Sequence, residues 1–155
     1  MPEMLPEPRT PKQRKQDTLD RLDHDVDLWV ASADQEGGPY LMPLSFLWDG
    51  ACLLLSTAAS NPTARNLEAS RTVRLGLGLT RDVVLIEGSV ETLASEEISQ
   101  EVGDAFAVKT GFDPRRLRSP YLYFRVTPHR VQAWREVNEL KDRDLMRDGV
   151  WLVKD

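Results

Sequence analysis

Residues 56–67 read STAASNPTARNL and join the apolar run ACLLLS (51–56) to the alternating segment TVRLGLGL (72–79). How this junction folds decides the architecture. The run before it has the length and composition of a buried strand. The segment after it places Val73, Leu75, Leu77 and Leu79 on one face, at the two-residue period of a β-strand. Between them, Asn61 is a favoured helix N-cap and Pro62 a favoured first helical residue. The stretch is therefore expected to leave a strand, turn, start a short helix and enter another strand.

Outward from this junction the chain keeps the same grammar. VDLWVASADQ (26–35) reads as a strand, EGGP (36–39) as a turn, and YLMPLSFLW (40–48) as a strand with Met42, Leu44, Phe46 and Trp48 on one face. Pro43 lacks an N–H for a ladder, so an edge or a bulge is expected there. Asp49–Gly50 signals a two-residue hairpin into ACLLLST, and Cys52 within that pattern reads as a small buried hydrophobe. Glycines at 76 and 78 predict a close approach to the bare face of TVRLGLGL. After a Thr80–Asp82 turn, VVLIEGSVETL (83–93) is a long strand expected to bend at Gly88. SEEISQEVGDAFAVKTG (95–111) reads as a helix with Ser95 as N-cap. YLYFRVTPHRVQAWRE (121–136) reads as a last long strand interrupted near Thr127–Pro128. The tail carries an Asp148–Gly149 turn and a short strand.

These signals predict a mainly β fold: a six- to seven-stranded antiparallel barrel with short helices plugging its ends. Few helical segments separate the strands, which disfavours a parallel sheet. The 155 residues are read as a disordered, Pro- and charge-rich lead at 1–14 and a single domain at 15–155, opened by a short amphipathic helix over Lys15–Asp23. Lys12, Arg14 and Lys15 are expected on a solvated, ion-paired face of that helix.

Composition excludes several function classes. A net charge of −5 argues against a nucleic-acid or anionic-membrane partner. No apolar run has membrane-span length, and the N-terminus lacks the apolar core of a signal peptide. With one cysteine, Cys52, no intrachain disulfide forms, and a cytoplasmic location is expected. His24 and His129, the only histidines, have no neighbours at metal-ligand spacing, so no metal site is expected. The chain has no G-x-S-x-G elbow, no P-loop and no G-x-G-x-x-G; the GLG at 76–78 lies within a strand.

STAASNPTARNL remains as the candidate site. A helix N-terminus at Asn61–Pro62 attracts anions, Arg65 adds positive charge one turn in, and Ser56, Thr57, Ser60 and Thr63 supply small hydroxyls. The same residues are equally consistent with a self-capped helix that holds nothing.

The order PYLMPLSFLW, DG, LLLST, SNPTARNLEASRTVRLGL and VVLIEGSVE resembles the pyridoxamine 5′-phosphate oxidase-like, FMN-binding split-barrel superfamily over roughly residues 18–135. Its most specific part is S-T…R-N-L followed by the strand bearing Glu87–Gly88. The resemblance implies an obligate homodimer with FMN between the subunits and hydride transfer to or from a small organic substrate. It implies that Pro43, Leu44 and Ser45 run along the flavin ring, and that Ser56 and Thr57 face the ring or ribityl chain. Asn61, Thr63 and Arg65 would surround the phosphate, Asn66 would buttress the turn, and Trp134 would reach the flavin from the other subunit. Met42, Phe46 and Trp48 would line a substrate pocket or fill the barrel core.

Many flavin-binding members carry a basic residue where this chain has Thr63; Arg74 or Arg81 could compensate. Within the superfamily the deazaflavin coenzyme F-420 is an alternative to FMN, with Arg115, Arg116 and Arg118 as candidate contacts for its longer anionic tail. A flavin- or haem-binding carrier or sensor without catalysis is a further alternative.

Overall fold

The computed structural model describes residues 4–154. Eight strands form one antiparallel sheet: β1 (Asp27–Ala33), β2 (Pro39–Trp48), β3 (Leu53–Ala58), β4 (Thr72–Leu79), β5 (Asp82–Leu93), β6 (Tyr121–Trp134), β7 (Asp144–Arg147) and β8 (Val150–Trp151). Their order is β3-β2-β1-β4-β5-β6-β7-β8, and β3 also pairs with β6. That extra pairing closes the first six strands into a barrel and leaves β7–β8 as a hairpin outside it. The left-handed φ values of Asp148 and Gly149 make the hairpin's tight turn.

Alternation decides which side chains fill the barrel. Leu28, Val30, Phe46, Leu53, Leu55, Val73, Leu75, Leu77, Val84, Ile86, Phe124 and Val126 belong to one buried cluster. Leu54, on the opposite face of β3, joins Leu93, Ile98, Phe106 and Tyr123 in a second cluster beneath α3 (Gln100–Thr110). β3 is therefore buried on both faces, which is why it reads as an unbroken apolar run.

Of the three helices, two lie at barrel ends and one on the wall. α1 (Pro11–His24) inserts Leu22 into the main core, and its Arg21 reaches the β4–β5 turn, donating to the Asp82 carbonyl and carboxylate. Gly78 (φ 83°) leaves the space through which that guanidinium passes; a Cβ there would strike Arg21 and the Asp82 carbonyl. α2 (Pro62–Ser70) covers the other end with Ala64 and Leu67. α3 packs outside the barrel and is not an end plug.

The structure corrects several expectations. Residues 11–14, assigned to a disordered lead, are the first turn of α1: Thr10 caps the Gln13 amide and Pro11 starts the helix. Residues 1–3 of that lead lie outside the described residues. Arg14 and Lys15 are buried, not solvated. Arg14 donates to the carbonyls of Ala133, Glu139 and Asp142, and Lys15 to that of Val153. The Glu139 carboxylate accepts two bonds from the Arg9 side chain and one from the Arg135 amide, which draws the segment before α1 onto the end of β6. Residues 49–52 form a four-residue loop in which Asp49 accepts from the Ala51 and Cys52 amides. Cys52 is thus a half-buried loop residue. Ser95 starts only a short 3-10 turn; the helix proper begins at Gln100 with Ser99 as its cap. β6 runs through Thr127–Pro128 unbroken, the irregularity being a register shift opposite Glu87–Gly88.

Candidate functional site

Only three residues of β2, Phe46 to Trp48, pair with β3, whereas residues 39–45 pair with β1 alone. Past Phe46 the two strands diverge, and the barrel is split along a seam. The Phe46 amide donates to the Val26 carbonyl at 2.9 Å. By the alternation of an antiparallel ladder, Leu44 and Met42 also point their backbone groups at β1, while Ser45 and Pro43 point theirs into the seam. The free edge expected from Pro43 is present. Leu44 packs against the core, and the Ser45 hydroxyl donates to Asp27 Oδ1 at 2.6 Å.

Beside the seam, β3 ends and α2 begins. Thr57 and Thr63 are buried, and the Asn61 side-chain amide donates to Thr57 Oγ1 at 2.9 Å. Asn61 occupies the N-cap position, yet no side chain caps the helix. The self-capped alternative therefore does not occur: the first-turn amides of α2 have no side-chain partner, and the positive end of the helix dipole is open. Asn66 is buried and donates to Ser32 Oγ at 3.1 Å, which locks α2 to β1.

Arg65 is exposed and shares a helix face with Pro62, Asn66 and Ala69. This face lines a cleft of about 680 Å³ opposite Ala33, Asp34, Gln35 and Glu36 of the β1–β2 turn. The Asp34 carboxylate is occupied by the Glu36 and Gly38 amides; Glu36 is exposed. Asp34 and Glu36 were not identified from sequence, although an Asp three residues before the Gly37–Gly38 pair is an Asx-turn signal. A second cleft, sharing Ala33 and Ser70 with the first, contains Arg74 and His129. Arg74 is already paired with Glu87 at 2.9 Å.

The remaining candidates stand apart. Ser56 is buried, and its hydroxyl donates to the Leu122 carbonyl. In the β3–β6 register it shares a face with Leu54, the face that α3 covers. Trp134 lies under the Arg143 guanidinium opposite Val83, twelve residues along β6 from Leu122, the partner of Thr57. Trp134 lines neither the cleft of Arg65 nor the one beside it. Arg81 stands at the same far end, near Glu136. Phe46 and Trp48 are core residues, whereas Met42 is partly exposed. Arg115 is consumed by Asp104 and Asp113, each at 2.8 Å. Among the described residues no His, Cys, Asp and Glu cluster could hold a metal, and no helix is long and apolar enough to cross a membrane.

The family model of pyridoxamine 5′-phosphate oxidase matches residues 21–135. The chain belongs to this family. The match spans the barrel from α1 through β6 and includes the seam, α2 and the cleft of Arg65. Solved structures with the same fold include a protein described as an F420 reductase, 16% identical with a TM-score of 0.61, covering 72% of this chain and 93% of its own. HutZ, the haem storage protein of Vibrio cholerae, is 15% identical with a TM-score of 0.60, covering 77% and 94%. A Clostridium acetobutylicum protein related to general stress protein 26, of the pyridoxinephosphate oxidase family, is 14% identical with a TM-score of 0.59, covering 83% and 92%. No curated protein matches the chain. At such identities the likeness shows the fold alone.

Proposed function

We propose that this member of the pyridoxamine 5′-phosphate oxidase family is a homodimeric, FMN-binding oxidoreductase acting on a small organic substrate. The observation that carries the proposal is the uncapped N-terminus of α2, with Arg65 one turn in, beside the unpaired edge of β2. A phosphate fits the open helix end. A heterocycle whose edge alternates acceptors and donors fits the Pro43 carbonyl and the Ser45 backbone in the seam.

When bound, the flavin supplies hydride chemistry. The chain's own part is binding and orientation. The first-turn amides of α2 and Arg65 hold the phosphate; Asn61, tied to Thr57, fixes the turn; the β2 edge sets the ring plane; Leu44 and Met42 exclude water from one side of it. With Thr63 in place of the basic residue, Arg65 is the one cation among the described residues lining its cleft, which it shares with Glu36. Affinity therefore rests more on backbone amides than on paired side-chain charges.

The dimer is supported by an outward row across four strands: Pro43, Trp29, Gly76 and Leu85 stand in register. Trp29 is 50% exposed and Leu85 38%. Such a contiguous apolar row suits a second copy of the chain, from which Trp134 would meet the cofactor.

The absorption spectrum of protein purified without reconstitution tests the proposal. Flavin bands support it. A deazaflavin band shifts the cofactor to F420, and a Soret band shifts the function to haem carriage. A colourless protein that binds no FMN on titration overturns it.

A further inference from the structure

On the barrel wall, past the closed end of the seam, another pocket of about 260 Å³ lies between α3 and the β2–β3 loop. Its floor follows one cross-strand row on the face that α3 partly covers: Leu47 pairs with Leu54, Leu54 with Arg125, and Arg125 with Glu91. Val102 and Ala105 of α3 and the edge of Trp48 complete apolar walls, and Glu101 stands in the first turn of α3. The pocket's charges are not equally engaged. Asp49 is held by the Ala51 and Cys52 amides at 2.8 and 2.7 Å. Arg125 has a single long ion pair, 3.6 Å, to a Glu91 that is 63% exposed. Glu101 is exposed and makes no ion pair or hydrogen bond among the described residues.

We infer that this pocket binds a small apolar zwitterion, an α-amino acid with an aliphatic side chain. The apolar group occupies the Leu47–Leu54–Val102 wall, the carboxylate takes Arg125 from Glu91, and the ammonium pairs with Glu101. A volume of about 260 Å³ suits one such side chain and is too small for a flavin. Apolar walls with a few convergent polar groups are the usual make-up of small-ligand sites. A bidentate carboxylate is also the better partner for a guanidinium whose present ion pair is long and solvent-exposed. The proposal is independent of the flavin assignment, because the pocket shares no residue with the seam or the Arg65 cleft.

The test is a titration of the full-length protein with L-leucine, followed by amide chemical shifts. Saturable shifts confined to residues 49–52 and 101–105 are expected. 4-Methylpentanoate and isopentylamine, each lacking one charge, should bind about tenfold more weakly, as should L-leucine to Arg125→Gln and to Glu101→Gln. Ala105→Trp, on the exposed side of α3, should abolish the shifts while leaving the fold and the spectrum of the purified protein unchanged. No saturable shift with L-leucine up to about 10 mM, the upper edge of weak specific binding, would overturn the inference. So would equal binding of L-leucine and either single-charge analogue, or undiminished binding to Ala105→Trp.

Discussion

Asn61 donates its side-chain amide to Thr57 Oγ1 at 2.9 Å, so the residue at the N-cap of α2 is tied to the strand behind it and not to the helix in front. A residue that normally satisfies a helix end here leaves it open. Thr57→Val removes the acceptor and frees Asn61 to cap its own helix. FMN affinity is expected to fall several-fold while stability changes by about 1 kcal/mol or less, since one half-buried hydrogen bond is lost and one cap is gained. Flavin fluorescence titration and urea unfolding measure the two effects separately. Unchanged FMN affinity would mean that the open helix end is not used.

The row Pro43–Trp29–Gly76–Leu85 is the exposed apolar face of the barrel, opposite the side that α3 covers. Trp29→Glu places a charge in its centre. Light scattering should show wild-type protein as a dimer and the variant as a folded monomer, with FMN binding weakened in the variant. A wild-type monomer at micromolar concentration would remove this face from the dimer interface.

The Arg9 guanidinium holds the Glu139 carboxyl down to about 2 from an ordinary 4.5. Because the folded value is the lower one, the contact stabilises above about pH 4.5, and that stability is lost as pH falls toward 2. The displacement corresponds to about 3 kcal/mol when fully expressed. Arg9→Gln should therefore raise the midpoint of acid unfolding while costing stability at neutral pH. Acid titration followed by circular dichroism checks this; an unchanged midpoint would show that Glu139 does not control acid stability.

Gly78 is expected to resist substitution. Its φ of 83° and the passage of Arg21 beside it make Gly78→Ala costly, about 2 kcal/mol or more by urea unfolding. In an Arg21→Ala background the same change should cost less, because the clash with the guanidinium is gone and only the left-handed φ and the Asp82 carbonyl oppose the Cβ. Equal costs in the two backgrounds would contradict the steric explanation.

What the sequence revealed and what it hid divide along physical lines. Strand alternation over Val73–Leu77, the proline at an edge and the Asn61–Pro62 helix start are local signals, and each is present in the structure; Leu79, expected on the same buried face, is exposed beyond the left-handed Gly78. Arg14 and Lys15 were misread because charge alone says "surface". The carbonyls of Ala133, Glu139, Asp142 and Val153, more than a hundred residues away, and the Trp151 ring beneath Lys15 make their burial tolerable. Ser99 displaced Ser95 as a cap because two candidate caps four residues apart cannot be ranked without the packing of Phe106. At the site, the open end of α2 and the Glu36 lip of the cleft depend on where Asn61 turns and where the β1–β2 loop lands. Neither is encoded by spacing.

The most direct test is a paired titration of wild type and Arg65→Ala with FMN and with riboflavin, which differ only in the phosphate. Binding through the α2 terminus predicts that wild type prefers FMN by about tenfold or more, the contribution of a charged phosphate contact, and that part of this preference, the share of Arg65 beside the backbone amides, disappears in Arg65→Ala while riboflavin affinity is unchanged. Equal affinity of wild type for FMN and riboflavin, or a preference that survives Arg65→Ala intact, would contradict it.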